Sequence, residues 1–218
     1  MSSIQIAIDG PAGSGKSTIS KIIAKKLDII YLDTGAMYRG ITYKAIVNNI
    51  KPEDLDGLEK LLDETNISFN GDELILDDVN RSEEIRHPNI SENVSLYAAV
   101  KIIREDLVRR QQYISENHSI IMDGRDIGTV VLPNATYKVY LTASVDERAE
   151  RRYKELVGKG HTVDIEALKK DIAERDYNDM NRDESPLMKA EDAIEVDTTG
   201  MGIEDVVNAI IKIVQKGA

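Results

Sequence analysis

Residues 4–20 read IQIAIDGPAGSGKSTIS. Ile4, Ile6 and Ile8 alternate with Gln5 and Ala7, the period of a short strand, and Asp9-Gly10 ends it. From Lys16 onward, Ile19, Ile22, Ile23 and Leu27 recur at helical spacing. Between them lies G-x-x-x-x-G-K-[ST], filled by Gly10, Gly15, Lys16 and Ser17. A strand, a glycine loop and a helix in that order form the context in which this motif holds a phosphate. Glycine lets backbone N–H groups turn inward around phosphate oxygens, and the helix adds its positive end. The expected cradle is Gly10, Pro11, Ala12, Gly13, Ser14, Gly15, Lys16, Ser17 and Thr18. Lys16 is placed to reach the β- and γ-phosphates, and the Ser17 hydroxyl to bind Mg²⁺.

Outward from the loop, DIIYLDTG (28–35) predicts a second strand ending at Asp33, and AMYRGITYKAIVNN (36–49) a helix. Residues 52 to 90 turn acidic. There NISFNGDELILDDV (66–79) predicts a hairpin, with Asn70-Gly71 between two alternating apolar runs. NISENVSLYAAVKIIREDLVRRQQYISEN (89–117) reads as one long helical stretch. HSIIMDGRDIGTVVL (118–132) contains an apolar run ending at Asp123, and YKVYLTA (137–143) is a further strand. Ser144-Val145-Asp146-Glu147 is a capping box that starts a helix, broken at Gly158 and Gly160. DIEALKKDIAERDYNDMNR (164–182) is the next helix, with Pro186 as its stop. AIEVD (193–197) is the last strand, and GIEDVVNAIIKIVQKG (202–217) closes the chain with Val206, Val207, Ile210, Ile211 and Val214 on its apolar face. Strands alternating with helices predict a parallel sheet with helices on both sides, and the hairpin an inserted subdomain.

Composition narrows the partners. The chain has 218 residues, 41% apolar and 31% charged, as expected for one domain with insertions. It has no cysteine, hence no disulfide framework. No apolar run approaches the roughly 18 residues of a membrane helix, and the N-terminus lacks a basic-then-apolar leader, so a cytoplasmic location away from membranes is expected. A net charge of −11 argues against a nucleic-acid polymer as partner. His87, His118 and His161 lie far apart and show no metal-ligand spacing.

The motif alone leaves hydrolysis, switching and group transfer open. A guanine-reading N-K-x-D is absent. Asp123 is followed by Gly124 and Arg125, not by the glutamate that orients water in hydrolytic ATPases. Asp123 takes the position of the Mg²⁺-associated aspartate in that comparison; at the end of its apolar run, its plainer reading is a loop stabiliser. Transfer needs positive charge and a second site that holds the acceptor in line. The arginines suit that need. None occurs before Arg39 or after Arg182. Arg39 follows one strand end and Arg125 another, where ligands gather in such sheets. Arg175, Asp179 and Arg182 are spaced for one helix face, and Arg148 and Arg152 for another. Arg109, Arg110 and Arg151 taken singly read as solvated faces, with Glu147 and Arg151 an i,i+4 pair.

Seven stretches spread from residue 6 to 199 carry a resemblance: IAIDGPAGSGKST, YLDTGAMYR, VRRQ, DGRDIGTVVLP, ERAERR, AERDYNDMNRDESPL and DAIEVDTT. With them the chain closely resembles the bacterial cytidylate kinases of the nucleoside-monophosphate kinase group. The resemblance implies an α/β P-loop kinase core of three layers around a five-stranded parallel sheet, as a single domain. The core would span about 1–33, 101–144 and 186–218, the acceptor-binding insertion about 34–100 and a helical lid about 145–185. The implied reaction is ATP with CMP or dCMP giving ADP with CDP or dCDP, with Mg²⁺, in a monomer.

The same resemblance implies roles at matching positions. Tyr38, Arg39, Arg125 and Arg182 would hold the acceptor phosphate, and Ser95, Arg104 and Asp126 would read cytosine. Arg175 and Asp179 would lie near the acceptor ribose and phosphates, with Thr34 as a nearby hydroxyl. Arg148 and Arg152 would meet ATP from the lid. Lys16, Arg125, Arg152 and Arg182 would serve the transfer itself. Asp33 would order the Mg²⁺ shell with Ser17, or is a strand-end turn aspartate. For Asp126 the chemistry agrees, since a carboxylate accepts from the amino group of cytosine and uracil offers a carbonyl there. Met180 stands where the family often has serine.

Overall fold

β1 (Gln5–Asp9) runs into the glycine loop and α1 (Lys16–Leu27) in the computed structural model, which describes residues 3–158 and 160–216. Gly10 adopts φ 147°, and a Cβ there would sit 2.0 Å from the Leu141 carbonyl oxygen, so only glycine lets the chain leave β1 this close to its neighbour. Gly15, at φ 92°, then turns the backbone into α1.

A five-stranded parallel sheet has the order β2-β6-β1-β7-β8, with β2 at Ile30–Asp33, β6 at Ile120–Gly124, β7 at Tyr137–Thr142 and β8 at Ile194–Asp197. Register aligns Ile8 with Asp123 and with Val139, and Asp9 with Gly124 and with Tyr140. The polar residues at the ends of the apolar runs of β1, β6 and β7 therefore emerge along one carboxyl edge.

Two compact units share the chain: Met1–Tyr31 with Asn117–Ala218, and Leu32–Glu116. The first is centred on Ile6, Ile8, Ile121, Val139 and Leu141 of the sheet, under Ile19, Ile23 and Ala24 of α1 and Val206, Val207, Ile210 and Val214 of α8 (Ile203–Lys216). Ile6 and Ile121 face each other in register, so one side of every central strand feeds this core. This unit also holds α6 (Val145–Gly158) and α7 (Ile165–Asn181). Ser144 caps α6 by accepting from the Glu147 amide at 3.2 Å, while the Glu147 carboxylate pairs with Arg151 at 3.0 Å.

The second unit contains α2 (Thr34–Val47), α3 (Leu55–Asp63), β3 (Ile67–Asn70), β4 (Glu73–Leu76), β5 (Val79–Asn80), a 3-10 turn (Glu84–Arg86), α4 (Pro88–Ala98) and α5 (Lys101–Ser115). Ile67 pairs with Leu76 and Phe69 with Leu74, and these side chains pack with Ala36, Tyr43 and Ile85.

Four readings need correction. The hairpin turn centres on Gly71-Asp72, since Asn70 pairs with Glu73. The positive φ of 59° falls on Gly71, first of the two loop residues. A third strand, β5, comes after a turn at Asp77 and Asp78, both with positive φ and without the glycine that normally announces such a turn. The stretch 89–117 is two helices. Val100 is extended, and the Arg104 guanidinium donates to the Ala98 carbonyl at 3.1 Å, satisfying an acceptor that a continuous helix would have used. Finally, α7 ends at Asn181, five residues short of Pro186. Arg182 is extended and its guanidinium turns back to the Ser185 carbonyl at 2.6 and 2.9 Å.

Candidate active site

The glycine loop is held from below by its own lysine. Lys16 Nζ donates to the carbonyls of Gly10 and Pro11, each at 2.7 Å, and Ser14 Oγ donates to the Pro11 carbonyl at 3.0 Å. Burial pushes the Lys16 ammonium well below its usual value. Arg125 pushes the same way, and Asp123, Asp9 and Asp179 oppose both. Ser17 Oγ donates to Asp123 Oδ2 at 2.8 Å, and Tyr31 Oη donates to the other oxygen at 2.7 Å. A carboxylate behind the motif hydroxyl is thus fixed in place by a tyrosine. Asp123 is therefore more than a loop stabiliser. The sequence carries a signal for this: Asp123 is the first polar residue after the apolar run of Ile120, Ile121 and Met122.

Arg148 is 4% exposed. It donates to the Ala12 and Ala143 carbonyls at 2.9 Å each and pairs with Asp176 at 2.6 Å, bracing the glycine loop against α6 and α7. Arg152 is half exposed and pairs with Glu155 at 2.8 Å. Asp176, buried and missed in the sequence, is what holds the Arg148 guanidinium.

A second cluster lies in the same unit. Arg125 Nε donates to Asp179 at 2.7 Å, and Arg182 stands 3.9 Å from Asp179 and 3.8 Å from Asp126. Asp126 and Asp179 are 4% and 5% exposed, so these charges meet in a poorly solvated place. Burial acts to lower the Arg125 guanidinium, but Asp179, with Asp176 and Asp123, outweighs it and holds the group above its ordinary value. Burial likewise acts to raise the Asp179 carboxyl. Arg125, Arg175 and Arg182 outweigh that and hold it below the usual carboxylate range. Arg175 and Asp179 share a face of α7, while Arg182 joins them from the extended segment beyond it.

Within the other unit, Asp33 caps α2. One oxygen accepts from the Ala36 amide at 2.8 Å, and the other pairs with Arg39 at 3.1 Å and Arg86 at 3.9 Å. Gly35 leaves the space for this, as a Cβ there would lie 3.2 Å from Arg39. Thr34 is buried at the first turn. The Arg104 guanidinium lies over the Tyr38 ring, 5.3 Å from its centre, and is 3% exposed. Ser95 lies half-buried on α4. The structure thus joins Arg39 to Asp33 and Tyr38 to Arg104. Nothing in the sequence singles out Arg86. Arg109 pairs with Asp106 on the surface, as its sequence context suggests. Arg110 instead donates to the carbonyls of Leu62 and Thr65 at 2.8 and 2.7 Å, and Arg151 to the Thr198 carbonyl at 2.7 Å. Both are structural ties.

No group of three or more histidine, cysteine or carboxylate side chains suited to a metal stands among the described residues, and none of their helices is long and apolar enough to cross a membrane.

Comparison with known proteins gives a consistent picture. A family model described as cytidylate kinase matches residues 6–216. Proteins named cytidylate kinase from Clostridium perfringens (53% identical, covering 98% of each chain), Fusobacterium nucleatum subsp. nucleatum (52%, 99% of each) and Streptococcus pneumoniae (54%, 96% of each) are similar along their whole length. Among solved structures, an uncharacterized protein from Eubacterium ventriosum (TM-score 0.55, 15% identical, 99% of each chain) shares the fold, as does TT1252 from Thermus thermophilus (TM-score 0.50, 16% identical, 99% of this chain and 98% of that one).

Proposed function

The chain belongs to the cytidylate kinase family, and from that premise we propose how its residues divide the work of transferring the γ-phosphoryl group of ATP to CMP or dCMP. The observation that carries the assignment is electrostatic. Arg125 and Asp179, ion-paired at 2.7 Å, lie in the same compact unit as Lys16 of the glycine loop, and both act on its charge. A lysine that grips the donor phosphates and a guanidinium suited to the acceptor phosphate therefore share one poorly solvated place.

Phosphoryl transfer asks mainly for positioning and for positive charge around the moving group. The loop amides and the α1 N-terminus, which has no acid in its first turn, hold the β- and γ-phosphates. Lys16 exchanges its two carbonyl partners for phosphate oxygens as ATP enters. Arg125 and Arg182 take the acceptor phosphate, kept in place meanwhile by Asp179, and the family resemblance gives Arg39 and Tyr38 the same task. Asp126, with Ser95 and Arg104, reads the cytosine edge, and Thr34 and Arg175 border the acceptor. Arg148 and Arg152 meet ATP from α6.

Mg²⁺, when bound, neutralises charge on the β- and γ-oxygens, and Ser17 would hold it with Asp123 behind the hydroxyl. Asp33, engaged by the α2 cap and by Arg39, would act on that shell only through water. Residues 34–100 and 145–185 serve as acceptor-binding insertion and lid, shielding the transfer from water. The working unit is a monomer.

The test is ADP formation from MgATP with CMP, dCMP, UMP, AMP, GMP or shikimate offered one at a time. CMP and dCMP should stimulate turnover most. No stimulation by CMP above water would sink the reading.

A further inference from the structure

Asp9 is the last residue of β1 and directly precedes the glycine loop, yet neither ATP binding nor acceptor binding claims it. It is 5% exposed. Its carboxylate accepts two backbone amides, Ile127 N–H at 2.8 Å and Gly128 N–H at 2.7 Å. Those amides open the π-helical turn Ile127–Val131, whose leading residue, Asp126, has φ −142° and ψ 25°. The Asp126 carbonyl accepts from Val130 and Val131, at 2.9 and 3.2 Å, so this turn is wound on Asp126 itself. The fit at Gly128 is close. A Cβ there would lie 3.3 Å from Asp9 Oδ2 and 3.2 Å from the Lys138 side chain. A sheet ladder does not need a buried carboxylate at this point, and burial raises the Asp9 carboxyl to about 6. Two short amide bonds fix the backbone just beyond Arg125 and Asp126 to the same strand that carries the donor loop.

We propose that Asp9 is a positioning residue for acceptor recognition, holding the 126–128 backbone so that Asp126 meets the base and Arg125 the acceptor phosphate. This rests on the cytosine-reading role given to Asp126. Asp9 touches no substrate. It acts through the backbone it clamps, and it ties the acceptor-reading turn to the strand from which the phosphate cradle springs.

Asp9→Asn tests this, since the amide keeps one acceptor and sets an N–H₂ against the other backbone N–H. Gly128→Ala strains the same contact from the opposite side. For both variants and the wild type, kcat and KM are measured for CMP, UMP and ATP, together with Tm and calorimetric CMP binding. The expected result is a fall of about tenfold in the CMP-over-UMP ratio of kcat/KM, carried by the KM for CMP, with the KM for ATP within about twofold. The double variant should be no worse than the poorer single one. A purely structural role lowers Tm and reduces CMP and UMP equally, and that result would overturn the proposal. Should Asp9→Asn not purify folded, Gly128→Ala alone decides by the same ratio. Asp126→Ala is the control. If it leaves the ratio unchanged, the role of Asp126 fails. If it collapses the ratio and both clamp variants do not, only the clamp fails.

Discussion

The stability of this protein should carry the signature of Asp9 as a function of pH. Its carboxyl is raised from 3.8 to about 6, first by burial and then by Asp126, against the lowering pull of the Gly128 and Ile127 amides and of Lys16. A raised carboxyl binds its proton more tightly in the folded chain than in the unfolded one. Between the two values the folded state therefore holds more protons, and stability falls as pH rises through that window. The gap is 6 − 3.8, about 2 pH units at 1.36 kcal/mol each, or about 3 kcal/mol in full and about 2 kcal/mol between pH 4 and 7. The perturbation is Asp9→Asn, which removes the titration and keeps the shape. The assay is urea unfolding of wild type and variant from pH 4 to 7, with the variant curve subtracted so that groups not coupled to Asp9 cancel. Wild type should lose about 2 kcal/mol relative to the variant across that range, a Tm difference of about 4–8 °C for a chain this size. A flat difference, or one that rises with pH, would refute the assignment of Asp9 as a buried, normally charged group.

Four further outcomes are expected. Gly10→Ala places a methyl 2.0 Å from a carbonyl oxygen at positive φ, so it should cost more than about 4 kcal/mol or prevent folding, read by urea midpoint. An Asp179→Ala variant leaves the partly buried Arg125 without its closest partner and should lose at most about 3–5 kcal/mol. In the wild type, the Asp179 contribution is fully present above the ordinary carboxylate pKa and is lost as pH falls through the depressed one. Lys16→Ala should lower kcat about 10²- to 10³-fold with every acceptor, and unchanged turnover would remove Lys16 from the transfer. Asp126→Ala should cut kcat/KM for CMP by about 1–3 kcal/mol more than for UMP, while equal losses would contradict base reading.

Much of this was legible in the residues. The alternation of Ile4, Ile6 and Ile8, the glycine motif and the helical spacing after Lys16 specify β1, the loop and α1 through local geometry alone, and the structure keeps them. Ser144 with Glu147 announced α6 by capping chemistry, and Gly158 its end. What escaped were decisions made by distant partners. The break between α4 and α5 contains no proline or glycine and depends on Arg104 reaching back to Ala98. Residues Asp77 and Asp78 turn the chain without glycine, where Asp77 accepts from the Asn66 amide and pairs with Lys44.

The same division runs through the site. Sequence determined that a phosphate is cradled between β1 and α1, because the glycine spacing and the lysine act over a few residues. It also determined, by its motifs, which family the chain belongs to. Tertiary structure decided which carboxylate serves which group. Asp9, Asp33, Asp123, Asp126 and Asp179 look alike on paper as acids near glycines or arginines. Only the packed chain turns Asp9 onto amides 118 and 119 residues away, Asp123 onto Ser17 106 residues away, and Asp179 onto Arg125 54 residues away. The physical reason is that a carboxylate's role is set by the donors that replace its lost water, and here those donors come from turns and helices far away along the chain.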